Sequence, residues 1–306
     1  MKLLQLYLPL VALVLFGFIL GGKLPATIPL YLGQFLFWVG VPFSIMAFLR
    51  QADLSGAIWV APMVAWVAIF LGAGLAWVWI NLQTARKTAL SSWSRPTQGS
   101  FILAAMVGNT GYLGYPVTLA FVGTQYFGYA LFYDLLGTTL GAYGLGVVLA
   151  AAYGGGVQSQ WQLIRAIAIN PSLWSFGAGL LFRQVPLPTL AETTLHTVGW
   201  VIVALSLVLI GMRLRQLNSW HSLPKASISL TIKMLVVPLF LGSVLSLFGL
   251  KGATKLAIIL QMAMPPAFAT LVIAEVYNLD RDLSVTALAV GSGGIVSNFA
   301  NLVMAI

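Results

Sequence analysis

Little in this chain can do covalent chemistry. Its 306 residues include six acidic side chains, two histidines and no cysteine. Thiol and disulfide chemistry are therefore absent, and cysteine usage reports no redox compartment. His196 and His221 stand apart, and neither falls in an HExxH pattern. No phosphate-cradling Walker loop is present, so the chain alone is no ATP-driven pump. An enzyme, a resident metal and an organic cofactor are not expected. Recognition is what remains. The run GNTGYLGYP (Gly108 to Pro116) sets an amide, a hydroxyl and a proline among glycines spaced by three: Gly108, Gly111 and Gly114. The Asn109 amide can donate to a carboxylate or accept from a freed N–H. Thr110 can bind a solute or an ion. A second run, LQMAMPPAFATLV, places Gln261 four residues before Pro265, with Pro266 next. Asp134 sits inside the apolar run ALFYDLLGTT, and an ionisable group at such a place marks function by default.

These residues lie on elements that water does not surround. The chain is 60% hydrophobic and 7% charged, against about a quarter charged in soluble domains. The class is an all-α integral membrane protein. Strands of a β-barrel would alternate strictly over about 10 residues, and nothing here does. A crossing helix needs roughly 20 apolar residues. Ten stretches qualify, approximately 3–22, 28–49, 56–81, 99–122, 125–152, 163–182, 191–212, 226–248, 253–277 and 282–305. The first is longer than a signal peptide's apolar core and is read as a span. The longest polar connection is Asn81 to Gly99. The net charge of +9 comes from 15 Lys and Arg scattered at the ends of apolar runs. It is read as topology first and lipid-headgroup contact second, with no nucleic acid as partner. One set of loops holds Lys23, Arg86, Lys87, Arg95, Arg165, Arg213, Arg215, Lys225 and Arg281, with Lys233 added as an end-of-helix residue. The other holds Lys2, Arg50, Arg183, Lys251 and Lys255. The richer set faces the cytoplasm. A multi-pass protein of the inner (plasma) membrane with both termini non-cytoplasmic follows.

Ten spans divide into two five-span halves, 1–152 and 153–306, and an odd number per half inverts the second. Each half has a helix-breaking centre in its fourth span: GNTGYLGYP in span four, AMPPAFA in span nine. Proline removes a backbone donor and clashes with the preceding turn. Glycine weakens a helix by roughly 1 kcal/mol relative to alanine. Freed backbone groups survive at membrane depth only against protein or a wet cavity. Two equivalent breaks should therefore cross, each aiming a half-helix N-terminus at the meeting point. That suits an anion, or a carboxylate that binds a cation. Kinks and close-packing stripes are the simpler account of glycine and proline in one such helix.

The run NTGYLGYPV (Asn109 to Val117) resembles the fourth-span signature of the auxin efflux carrier family. GYALFYDLLGTTLGAYGLG (Gly128 to Gly146) is similar to its fifth span. QMAMPPAFATLVIAEVYNLDRDLSVTALAVGS (Gln261 to Ser292) resembles its ninth span and the turn into the tenth, and Asn170-Pro171 the start of its sixth. The resemblance implies the bile-acid-symporter-like fold. Spans 1, 2, 6 and 7 would form a scaffold, through which two copies would pair. Spans 3–5 and 8–10 would form a transport domain that moves as an elevator. It implies a carrier, secondary-active or facilitative, for a small organic anion such as a carboxylate. An H+- or Na+-coupled symporter or antiporter on the same fold is the alternative. A substrate site would draw on Asn109, Thr110, Gly111, Pro116, Gln261, Pro265, Pro266 and, across the domain interface, Ser206. Coupling would draw on Asp134, as proton carrier, substrate contact or anchor for the broken backbone. Glu275 could bind an ion, gate an exit or make a structural ion pair. Ser297 and Asn298, beside the GSGG run, could line a cation site or join helices. Asn109 could instead cap the broken helix, and Gln261 should face the cavity.

Overall fold

The computed structural model describes residues 2–25, 27–85, 93–154, 165, 168–216 and 222–305, and for 2–7 and 295–305 the backbone only. Helices occupy all ten apolar stretches: α1 (Lys2–Lys23), α2 (Thr27–Phe35), α3 (Val41–Leu49), α4 (Val60–Ala85), α5 (Arg95–Met106), α6 (Tyr115–Phe121), α7 (Phe127–Tyr133), α8 (Val147–Gly154), α9 (Pro171–Phe182), α10 (Thr189–Gln216), α11 (Leu223–Thr231), α12 (Val237–Leu247), α13 (Gly252–Met262), α14 (Phe268–Val276) and α15 (Arg281–Ala305). No strand is named among the described residues, which hold a single isolated bridge. Five described stretches are long and apolar enough to cross a bilayer: Thr27–Leu49, Val60–Ala85, Thr124–Gly154, Thr189–Arg215 and Leu223–Leu247. Their outer faces expose large apolar side chains, among them Met63, Phe70, Trp77 and Phe240. An apolar surface that extensive is tolerable where the solvent is lipid.

Local chemistry sets the helix ends. Ser94 accepts from the Thr97 N–H and Pro96 fills the first turn, so α5 starts there. Asn170 caps α9 in the same way, accepting from the Ser172 N–H, with Pro171 next. Asp280 opens α15 by accepting from the Leu283 N–H at 3.0 Å and ties it to α5 through Thr97 at 2.8 Å. Several spans carry wider π-helical turns: Leu36–Gly40, Thr110–Gly114, Asp134–Thr139, Ala142–Gly146 and Ile232–Val236. Such turns recur at functional sites.

Packing sorts the helices into two neighbourhoods. α1 runs along α10, and α3 packs on α9 and α10. The α1–α10 approach needs glycine. A Cβ on Gly17 would lie 2.1 Å from the Val208 carbonyl oxygen, and one on Gly211 2.0 Å from that of Val14. Small residues let membrane helices touch by backbone. In the second neighbourhood α4 packs on α5, α5 on α8, and α11 and α14 on α15. Gly72 of α4 touches the Ala105 carbonyl, where a Cβ would sit 2.3 Å from the oxygen.

Candidate functional site

The fourth and ninth apolar stretches both break, and the breaks meet. α5 ends at Met106, and Val107 is extended (φ −107°, ψ 118°). α13 ends at Met262, and Ala267 is extended before α14 (φ −74°, ψ 152°). Gly108 and Pro266 pair antiparallel. The Asn109 N–H donates to the Pro265 carbonyl at 2.7 Å, and the Ala267 N–H to the Val107 carbonyl at 3.2 Å. Each break thus supplies partners for backbone groups the other freed, which buried peptides require. Gly108 allows the approach: a Cβ there would lie 3.2 Å from the Met264 carbonyl oxygen.

A cavity of about 120 Å³ opens beside this crossing. A water needs about 10–15 Å³ on that measure, so the space admits several waters or a small organic solute. Its wall includes Asn109, Thr110, Gly111 and Asp134, which the sequence singled out. Asn109 is buried, its Nδ2 has no hydrogen-bond partner, and its side chain makes no capping bond. The capping role is thereby excluded, and a donor stands free at the wall. Asp134 is hydrogen-bonded to the broken stretch. Its Oδ1 accepts from the Thr110 hydroxyl at 2.5 Å and its Oδ2 from the Tyr115 hydroxyl at 2.6 Å. Thr139 is a further hydrogen-bonding neighbour. Ala267, Phe268 and Ala269 complete the wall at the start of α14; the Val107 carbonyl takes the Ala267 N–H and the Ala267 carbonyl that of Thr270, which leaves the Phe268 and Ala269 N–H groups without an intrahelical acceptor.

The other expected residues lie elsewhere. Gln261 does not face the cavity. It is fully buried behind span four, donates to the Thr118 hydroxyl at 2.9 Å and leaves its Oε1 unpartnered. It lies so close to Gly114 that a Cβ there would be 2.4 Å from that oxygen. Pro265 and Pro266 form the bridge behind the wall, and Pro116 is buried in the first turn of α6. Ser206 is spent on its own helix, donating to the Ile202 carbonyl at 3.0 Å. Glu275 forms an exposed ion pair with Arg281 at 2.7 Å, remote from the cavity wall. Ser297 and Asn298 fall on α15, with side chains outside the described residues, as do Arg86, Lys87 and His221.

Several wall residues escaped the sequence reading. Phe37, Val41, Asn170 and Ser172 bound the cavity from the α1–α3, α9 and α10 neighbourhood, and Tyr112, Tyr143 and Phe268 add aromatic faces. Asn170 carried a signal, as the cap before Pro171. The expectation that Lys233 ends a helix at the cytoplasmic edge fails. Lys233 lies inside the Leu223–Leu247 stretch, on a π-helical turn, and is 3% exposed. A lysine among apolar residues looks alike at a helix end and at its middle when only the sequence is known. Arg213, counted above as a topology charge, places its guanidinium 4.3 Å from the centre of the Phe268 ring, a cation–π contact at the cavity wall. Arg50, counted above as a loop charge, pairs with Glu192 at 2.9 Å, and its side chain is 8% exposed.

The chain is similar in sequence to known membrane transporters. A family described as "Membrane transport protein" matches residues 156–304. An uncharacterized transporter of Methanothermobacter thermautotrophicus is 31% identical over 281 residues, covering 90% of this chain and 89% of that one. An uncharacterized transporter of Methanocaldococcus jannaschii is 26% identical over 213 residues, 68% of this chain and 67% of its own. The auxin efflux carrier component 6 of Arabidopsis thaliana is 26% identical over 135 residues, 42% of this chain and 24% of its own.

Proposed function

We propose, from the premise that this chain belongs to the auxin efflux carrier family of membrane transport proteins, that its cargo is a small organic anion such as a carboxylate. One observation carries the reading: the buried, unpartnered Nδ2 of Asn109 on a cavity wall beside the crossing of two broken helices. The Asn109 amide and the Phe268 and Ala269 N–H groups that open α14 are donors without a described acceptor. A carboxylate would satisfy them with charge-assisted hydrogen bonds.

In this reading the ten apolar helical stretches are ten spans in two inverted halves. The α1–α3, α9 and α10 neighbourhood is a scaffold, and the remaining spans carry the crossing as a transport domain. The cavity has walls from both, so sliding one past the other would carry it between the two sides. Proton coupling is a second reading, favoured by Asp134 on the cavity wall, where protonation of one carboxylate oxygen would displace the Thr110 or the Tyr115 hydroxyl bonded to it. The test is uptake of radiolabelled small carboxylates into liposomes holding the purified protein. Gradient-driven uptake of at least one carboxylate is expected. Uptake confined to cations or neutral solutes would overturn the assignment.

A further inference from the structure

A buried lysine stands behind the crossing, and neither the cavity nor an ion pair accounts for it. The described ion pairs are Arg50–Glu192 and Arg281–Glu275. The Lys233 Nζ instead donates to the Met262 carbonyl at 2.9 Å. In an unbroken α-helix that carbonyl would accept from the N–H of residue 266. Residue 266 is proline, which has none. The ammonium therefore replaces the one hydrogen bond that Pro266 removed. It also sits at the C-terminal end of α13, where the helix dipole and the last carbonyls favour a cation. Packing fixes it there: a Cβ on Gly108 would lie 3.2 Å from Lys233 Cε, 3.3 Å from its Nζ and 3.2 Å from the Met264 carbonyl oxygen. Carbonyl oxygens gathered at a broken helix are what a hard monovalent cation needs, and here the chain supplies the positive charge itself.

We infer that Lys233 is a tethered cation: its ammonium fills a site at the end of α13 that Na+ would otherwise occupy, and so frees the carrier from Na+. The inference does not depend on which solute the cavity takes, because binding of Na+ is read directly. Na+ at the truncated site would be held by the Met262 carbonyl, with water filling the space the side chain leaves.

The experiment compares the full-length protein and Lys233→Ala in NaCl and in choline chloride at equal ionic strength, by thermal unfolding and by flux in liposomes. The unsubstituted protein should unfold at the same temperature and transport at the same rate in both salts. Lys233→Ala in choline should lose about tenfold or more in flux, the scale of one charge-assisted hydrogen bond. Na+ should then raise its unfolding temperature and recover part of that flux, as binding to the folded state alone requires. Two results overturn the inference. One is Na+ dependence of the unsubstituted protein. The other is a Lys233→Ala variant that behaves alike in both salts, whether it folds in both or in neither.

Discussion

Replacing Asn109 with alanine removes one side chain from the cavity wall and, among the described residues, no side-chain hydrogen bond from the fold. That asymmetry makes the substitution informative. The backbone bonds of residue 109, to the Pro265 carbonyl and from the Gly114 N–H, are untouched by the change. An unpaired buried amide is itself a burden of about 1–3 kcal/mol. Its removal offsets the lost packing of a small side chain, so stability should move by no more than about 1 kcal/mol. Binding should respond quite differently. A hydrogen bond to a charged group is worth about 1.5–3 kcal/mol, which converts to a roughly 10- to 150-fold rise in Kd. The assay is a titration of a transported carboxylate against both proteins by thermal shift, with flux in liposomes alongside. Carboxylate affinity within about twofold of the parent at unchanged stability would refute the reasoning, since two-fold is about 0.4 kcal/mol. A large loss of stability with affinity preserved would instead make Asn109 a structural residue.

Other substitutions test the surroundings. Asp134→Asn leaves one acceptor oxygen where the Thr110, Tyr115 and Thr139 hydroxyls shared two, so about 1–3 kcal/mol of stability should be lost, and any pH dependence of flux should flatten; a pH profile matching the parent's would exclude Asp134 as proton carrier. Gly72→Ala forces a methyl against the Ala105 carbonyl oxygen, which would be 2.3 Å away, and should cost about 1–3 kcal/mol as overpacking. Gly74→Ala meets open space two residues on and should hold or raise the melting temperature, because alanine favours helix by about 1 kcal/mol. Arg50→Ala loses the Glu192 pair and bonds to the Phe182 and Val185 carbonyls, so it should lower the melting temperature more than Glu192→Ala, which leaves the carbonyl bonds in place.

Much of the fold was legible along the chain because membrane helices declare themselves locally. Apolar length gave most helical stretches to within a few residues, while the helix capped by Asn170 starts at Pro171, well inside the stretch read as 163–182. The two breaks were legible for the same reason: proline and glycine act on their own turn. Span three, read as 56–81, runs Val60–Ala85 instead, since an apolar run blurs into its loop without a cap. The candidate site was half visible. Asn109, Thr110, Gly111 and Asp134 are polar or small residues in apolar surroundings and stand out by type. Phe37, Tyr112 and Tyr143 do not, because aromatic residues are ordinary in any span. Gln261 was identified by its spacing from Pro265 but aimed wrongly, because spacing within one helix cannot say which neighbour lies behind it.

The sequence by itself determined that this chain is helical and membrane-borne, and where two of its helices must break. Composition and backbone chemistry decide those matters residue by residue. Only the tertiary structure decided what the freed groups do. Asp134 finds Thr110 across 24 residues, Lys233 finds Met262 across 29, and Gln261 finds Thr118 across 143. The physical reason is that a buried polar group must be paired, and its partner is whatever packing brings near. Lys233 shows the difference most sharply. In the sequence it is a charge at the edge of a span; in the fold it takes the hydrogen bond that Pro266 gave up.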